Sequence, residues 1–270
     1  MSAHDLFHAG KLREAVTAAT DAVRQQPAEP GPRLLLAELL CFTGELERAD
    51  NHLDTLAHTD SKAAPALMAF RQLIRAEKCR QEFFDSGRLP TFLGRPEGTT
   101  RLLLEAAVRV REGAPVEAAD LLAQVEAQRP RVSGVCDEHP FRNFRDLDDL
   151  TSCVLEVLTV NGDYYWVSIS NVESMEFQPP ERARDLLWRS CHLSVEGGPE
   201  GDVFLPALYP GASRHEDDQI RLGRRTEWLG GDGGPVRGVG QRVFLVGDED
   251  RPILELKTLT FDPAEPPTPA

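Results

Sequence analysis

The chain is 270 residues long, which is enough for two domains of ordinary size. It contains 44 acidic and 30 basic residues, a formal net charge of −14, and the acidic residues are spread through both halves. Nucleic acid is therefore excluded as the expected partner, because binding a phosphate backbone requires a dense surface of lysine and arginine.

The sequence predicts a cytoplasmic protein. Its first residues lack the charged and then apolar segments of a signal peptide, and no run of about 18 apolar residues occurs, so we expect neither signal-peptide export nor a membrane span. An odd number of widely separated cysteines is typical of reduced thiols in a reducing compartment. The five cysteines are Cys41, Cys79, Cys136, Cys153 and Cys191.

A helical motif is repeated in the first half of the chain. The sequence GKLREA begins at Gly10, and the similar sequence GELERA begins at Gly44, 34 residues later, which is the period of tetratricopeptide repeats. In each copy the glycine is predicted to end one helix, and the small alanine lets two helices pack closely. Pro27 is predicted to end the second helix of the first unit. The motif therefore predicts helical hairpins.

Further helices are predicted up to residue 130. A third copy, GAPVEA, begins at Gly113, about two periods after the second. Between them, residues 61–85 are predicted to form one long helix capped by Ser61, and residues 87–98 a turn-rich connection. Residues 1–130 are therefore predicted to form a tetratricopeptide-like array of three hairpins. Stacked hairpins present a concave face that holds a helix or an extended peptide, so we expect a partner to bind there.

After residue 130 the pattern changes to the alternation of β-strands. Residues 154–160 and 164–169 are rich in β-branched and aromatic residues and flank Asn161-Gly162, the strongest short-range signal of a β-hairpin. The predicted fold class is α+β, with a β-rich, mostly antiparallel domain over residues 131–262 and a disordered tail over 263–270. Further strands are predicted at 172–177, 187–195, 203–206, 242–246 and 253–260.

The sequence contains no motif that predicts catalysis or a cofactor. The serine-hydrolase elbow, the zinc-protease helix motif and the phosphate-binding P-loop are all missing. Residues 230–240 are rich in glycine but lack the lysine and the following helix of a phosphate-binding loop, which favours a flexible connection between strands. Cys136 and His139 have a possible ligand spacing, yet no Cys-x-x-Cys pair anchors a zinc site. We therefore expect a protein that is not an enzyme and holds no cofactor or metal.

Eight residues are candidates for partner binding. The acidic cluster, formed by Asp146, Asp148 and Asp149, could hold a hard cation, but it lacks the glycine and the distal glutamate of an EF-hand loop. Capping of a short helix before the first strand, or pairing with basic residues of a neighbour, is favoured instead. Tryptophan and arginine dominate interface hot spots, although burial in the core is the ordinary role of tryptophan. The remaining candidates are Arg184 with Trp188, Arg224 with Trp228, and Tyr209.

Several strings of residues resemble the ImpE family, also called SciE or TagJ, whose members are accessory proteins of the bacterial type VI secretion system. The resemblance extends from the first repeat to about Phe261. Its most specific strings are FRDLDDL from Phe144, VLEVL from Val154, NGDYYWV from Asn161, RDLLW from Arg184, VFLPALYPG from Val203 and GQRVFLVGD from Gly240.

The resemblance implies a non-enzymatic role beside the contractile sheath of that secretion system. It implies contact with the N-terminal helix of the small sheath protein and a link to the ClpV ATPase, which disassembles the sheath. An apolar groove in the helical array suits one face of an amphipathic helix.

Two alternatives stay open. The chain could be a helical-repeat scaffold for another cytoplasmic complex, since repeat arrays bind many different partners. It could instead be a small-ligand binder or an enzyme that uses the C-terminal domain. That hypothesis requires one closed pocket joining Asp146, Asp148, Asp149, Trp188 and Tyr209.

Overall fold

The computed structural model describes residues 1–96, 98–231 and 233–263. Within these ranges, seven α-helices occupy the first half of the chain and one short α-helix lies in the second half. None of the helices in these ranges is long and apolar enough to cross a membrane. The helices are α1 Ala3–His8, α2 Leu12–Gln25, α3 Pro30–Phe42, α4 Leu46–Thr59, α5 Ala64–Ser86, α6 Thr99–Arg111, α7 Pro115–Gln128 and α8 Asp218–Arg221.

The three predicted helical hairpins are present. Helix α1 packs on α2, and Gly10 lies in the turn between them. Helix α3 packs on α4, and Gly44 lies in the turn between them. The φ angles of these glycines, 78° and 76°, lie in the left-handed region that glycine adopts without strain. Helices α6 and α7 form the third hairpin, and α5 stands between the second and the third.

The start of α5 differs from the sequence prediction. Ser61 is predicted to cap this helix, but the helix begins at Ala64. Its N-cap residue is Ala63, whose side chain forms no capping hydrogen bond. The Asp60 carboxylate instead accepts the N–H groups of Lys62 and Ala63, at 2.9 and 3.2 Å. Because the aspartate binds the N–H groups that precede the helix, Ser61 lies inside a turn. The prediction that Ser61 caps the helix is therefore wrong.

The described residues of the second half form three antiparallel sheets. The strands are β1 Gly134–Cys136, β2 His139–Phe141, β3 Phe144–Asp146, β4 Val154–Leu158, β5 Tyr164–Ser168, β6 Val172–Phe177, β7 Trp188–Val195, β8 Glu200–Pro206, β9 Thr226–Leu229, β10 Arg237–Gly240, β11 Val243–Val246, β12 Glu249–Pro252 and β13 Thr258–Phe261. The largest sheet has the order β2-β1-β13-β6-β7-β8-β4-β5. A second sheet has the order β12-β11-β3, and β9 pairs with β10.

The predicted hairpin is confirmed, and one predicted strand is wrong. β4 pairs with β5, with Val154 opposite Ser168. The predicted strand at 253–260 is largely a turn, and β13 begins only at Thr258. Ile253 and Leu256 are both fully buried although they are three residues apart, a spacing that a strand would place on opposite faces. Strands β1, β2, β3, β9, β10 and β12 were not predicted.

Strand β4 is buried on both sides, which places two apolar cores around the large sheet. Val154 and Leu158 point toward the helical array, and Leu155 and Val157 point toward the three-stranded sheet. The first core contains residues of the array together with residues of the sheet. Because the two parts share this core, the domain boundary near residue 130 stays a prediction. The predicted tail lies, from residue 264 onward, outside the described residues.

The face of the array that was expected to hold a partner is covered by the second half of the chain. Every residue from Leu36 to Phe42 of α3 is buried. Helix α3 packs against a 3-10 turn at Ala183–Leu186, and α5 packs against β4 and β5. The expectation of a free groove on this inner face is therefore wrong, because the chain's own sheet fills it.

Candidate interaction surfaces

Buried charged residues join the helical array to the large sheet. Arg80 of α5 donates two hydrogen bonds to Glu156 of β4, at 2.9 and 3.1 Å, and one to Glu77 at 3.1 Å. It also donates to the carbonyl oxygen of Leu208 at 3.0 Å. All three charged side chains are buried. Breaking such a pair leaves an uncompensated charge in the interior, so the network holds the two parts together.

The network continues into the second half of the chain through Arg242. This residue pairs with Glu156 and with Asp146, the latter at 2.6 Å, and the Tyr209 hydroxyl donates to Asp146 at 2.7 Å. Burial raises the pKa of Asp146 to about 6. Burial acts in the same direction on Glu156, but Arg80 and Arg242 outweigh it and lower the pKa of that carboxyl to about 2. Glu156 is therefore the anion at the centre of the network.

Aromatic side chains cover the network on the side of the array. The Trp188 indole N–H donates to Glu77 at 3.1 Å, and its ring packs edge-on against Phe70, with 6.0 Å between centroids. Phe83 packs in the same way on Trp166, at 4.7 Å. Both tryptophans are buried. Because these rings exclude water, the hydrogen bonds beneath them are stronger than they would be at the surface.

The acidic cluster caps a short helical turn, as the sequence predicts. Asp148 precedes the 3-10 turn Asp149–Thr151 and accepts the N–H of Leu150 at 2.9 Å. Its carboxylate also pairs with Arg237 at 2.8 Å. The turn leads directly into β4. The cluster therefore fixes the entry to the central strand.

Half of the predicted partner-binding residues are buried, and half lie nearer the surface. The buried ones are Asp146, Asp148, Trp188 and Tyr209, whose polar atoms bind groups of the same chain. Of the others, Arg184 lies over the Phe70 ring at 4.7 Å, and Arg224 donates to the Phe7 and His8 carbonyl oxygens at 2.9 Å. Asp149 pairs with Arg145 at 2.8 Å, and Trp228 is 43% exposed. Partner binding by these residues stays a prediction.

A cavity of about 160 Å³ lies between the array and the sheet. Trp188 and Tyr209 line it together with Glu77 and Arg80, but the acidic cluster does not. Arg80 directs its hydrogen bonds to protein oxygens, as described above. The single pocket that the ligand-binding hypothesis requires is therefore not formed by the described residues. The same residues contain no group of three or more metal-ligating side chains.

Among the further grooves on the described surface, two have a mainly apolar lining. The first, of about 260 Å³, lies between α5, α6 and the β9–β10 hairpin, and we call it the Leu229 groove. Its apolar lining includes Phe84, Val110 and Leu229. The second, of about 250 Å³, lies over the sheet beside β5 and β8, and we call it the Tyr165 groove. Both have apolar floors, so both are candidate binding surfaces.

The rims of the two grooves carry opposite charge. Three arginines and one aspartate line the Leu229 groove, namely Arg111, Arg214, Arg237 and Asp85. The charged residues that line the Tyr165 groove are Glu200 and Asp202. Rim charges steer partners and select between them, so the two grooves suit partners of different chemistry.

Comparison with known proteins identifies the family. The family model described as ImpE protein matches residues 138–260, and a tetratricopeptide repeat model matches residues 6–73. The type VI secretion system accessory component TagJ of Pseudomonas aeruginosa is 36% identical over 265 residues, which cover 98% of this chain and 92% of that protein. The chain belongs to the ImpE/TagJ family. A crystal structure of a Vibrio parahaemolyticus protein has the same fold, with a TM-score of 0.89, 25% identity, and coverage of 96% of this chain and 97% of that one.

The strings that resemble the ImpE/TagJ family build the buried network in this member. FRDLDDL contains Asp146, VLEVL contains Glu156, VFLPALYPG contains Tyr209 and GQRVFLVGD contains Arg242. Sequence reasoning did not single out Glu156 or its two partners, Arg80 and Arg242. One signal was available, because a glutamate inside an apolar strand must find a charged partner if that strand is buried.

Proposed function

We propose that this chain is an accessory component of a bacterial type VI secretion system and acts as a cytoplasmic adaptor without catalytic activity. The observation that carries the proposal is the 36% identity to TagJ over 98% of the chain. The ImpE match in the second half and the repeat match in the first half support it. The five free cysteines fit a reducing compartment.

The adaptor binds the N-terminal helix of the small sheath protein and links it to the ClpV ATPase. This assignment follows from the family resemblance. An amphipathic helix fits an apolar groove, because its apolar side chains at i, i+3, i+4 and i+7 enter the groove together. The inner face of the array is filled by the sheet, so the partner helix binds elsewhere, and the Leu229 and Tyr165 grooves have the apolar floors that it needs.

Isothermal titration calorimetry tests this partner. The probe is a synthetic peptide that spans the N-terminal helix of the small sheath protein from the same organism, and the control peptide carries charges on the apolar face of that helix. We expect saturable binding of the first peptide and none of the second, because charges on the apolar face cannot enter an apolar groove. Absence of binding by the first peptide contradicts the assignment.

The link to ClpV needs a separate measurement. The full chain is immobilised, loaded with the sheath peptide and exposed to purified ClpV. We expect ClpV to be retained by the loaded chain. Equal ClpV signals on the loaded chain and on a surface without protein contradict the link.

A further inference from the structure

Exposed apolar side chains occur on and after strand β9, which borders the Leu229 groove. Eleven large apolar side chains are exposed among the described residues, and three of them lie between positions 228 and 236. They are Trp228, Leu229 and Val236, exposed by 43%, 55% and 41%. Leu229 lines the groove itself. Because successive residues of a strand point to opposite faces, Leu229 is the one of the three that faces the groove, next to Arg237. An exposed apolar side chain at the mouth of an apolar groove is typical of an interaction site.

One arginine of this groove has no acidic partner. Arg214 pairs with Asp85 at 2.9 Å, and Arg237 pairs with Asp148 at 2.8 Å. Arg111 instead donates to a backbone carbonyl at 3.0 Å, and no carboxylate of the described residues lies within 4.0 Å of its guanidinium. The groove is therefore locally basic in a chain whose net charge is −14. It suits a partner that brings a carboxylate to Arg111.

The backbone next to the groove is already hydrogen-bonded. The Val236 N–H donates to the Asp149 carboxylate at 2.8 Å, and the Val236 carbonyl accepts the Asp149 N–H at 3.0 Å. The Gly238 N–H donates to Asp148 at 3.1 Å. A partner cannot add as a strand along β10, because these groups are taken. An amphipathic helix, which binds through its side chains, does not need these backbone groups.

We infer that the Leu229 groove binds an amphipathic helix whose apolar face is flanked by acidic residues. The inference rests on the proposed function, and it adds where the partner helix binds and which charge it carries. The apolar side chains of that helix contact Leu229 and Val110, and one of its carboxylates pairs with Arg111. The Tyr165 groove does not bind this helix, because its own rim carries Glu200 and Asp202.

The required charge is tested with two designed helical peptides and the full chain. Both peptides carry leucine at the same i, i+3, i+4 and i+7 positions, and these are flanked by glutamate in one peptide and by lysine in the other. In calorimetry at low salt we expect the glutamate peptide to bind at least about tenfold more tightly. Arg111→Glu should abolish this preference. Equal binding of the two peptides, or tighter binding of the lysine peptide, overturns the inference.

The location is tested with two matched substitutions of exposed leucines. Leu229→Asp alters the Leu229 groove, and Leu93→Asp alters the Tyr165 groove, where Leu93 is 48% exposed. We expect Leu229→Asp to weaken binding of the glutamate peptide and of the sheath peptide at least about tenfold, and Leu93→Asp to change it by less than about twofold. Melting curves verify that both variants fold. The reverse pattern, or equal effects, overturns the inference.

The same data separate the inference from the proposed function. Binding of the sheath peptide that is insensitive to Leu229→Asp leaves the proposed function standing and removes the groove assignment. Binding of the glutamate peptide alone, weakened by Leu229→Asp, keeps the groove assignment and removes the sheath partner. Failure of both peptides to bind overturns both.

Discussion

Replacing Arg80 with methionine should destabilise the whole chain by breaking the network between the array and the sheet. The substitution keeps the apolar part of the side chain and removes four hydrogen bonds, two to Glu156, one to Glu77 and one to a carbonyl oxygen. Removing one partner of a buried ion pair costs about 3–5 kcal/mol. Glu156 retains Arg242. We therefore expect a loss near the lower end, about 3 kcal/mol in the free energy of unfolding.

Urea denaturation followed by tryptophan fluorescence and by far-UV circular dichroism measures this loss. The control is Arg71→Met in the same helix, where Arg71 pairs with Asp50 and Asp54 near the surface. A more exposed pair contributes little, so this control should lose less than about 1 kcal/mol. The reasoning is refuted if Arg80→Met costs no more than Arg71→Met. It is also refuted if the two probes show separate transitions, because a shared core requires a single one.

Three further predictions concern burial. Burial raises the pKa of Glu38 from 4.5 to about 7. The charged form is disfavoured in the fold, so stability is lost as the pH rises from 4.5 through about 7. Glu38→Gln should therefore raise the free energy of unfolding by about 1–3 kcal/mol at pH 8.5 and by less than about 1 kcal/mol at pH 5. Four of the five thiols are buried and Cys79 is half-buried. Ellman's reagent should therefore label at most one thiol quickly in the folded chain and all five in urea. Rapid labelling of two thiols in the folded chain contradicts this burial. A fragment of residues 1–130 exposes Phe70 and Phe83, which pack against the sheet in the full chain. We expect this fragment to aggregate or to unfold without cooperativity. A sharp cooperative transition would show instead that the array is an independent domain.

Elements with a local signal could be predicted from the sequence. Gly10 and Gly44 end helices because each adopts a left-handed conformation that other residues avoid. The Asn161-Gly162 pair closes the β4–β5 hairpin, and Gly162 has a φ angle of 86°. Asp148 caps its turn through a neighbour two positions away. In each case the deciding interaction spans only a few residues.

Contacts between distant parts of the chain could not be predicted in this way. Arg80 and Glu156 are 76 positions apart, and Trp188 and Glu77 are 111 positions apart. Helical periodicity shows that α5 has a buried face, but it does not show which surface covers that face. For this reason the groove of the array was predicted to be free. The sequence does not point to Arg111, because only the three-dimensional arrangement shows that no carboxylate of the described residues pairs with it.

Co-purification with the intact small sheath protein tests the central claim most directly. The full chain carries an affinity tag and is co-expressed with the small sheath protein, either complete or without its N-terminal helix. We predict that the complete sheath protein elutes with the tagged chain and that the shortened one does not. If neither form is retained, or if both are retained equally, the chain is not an adaptor for that helix.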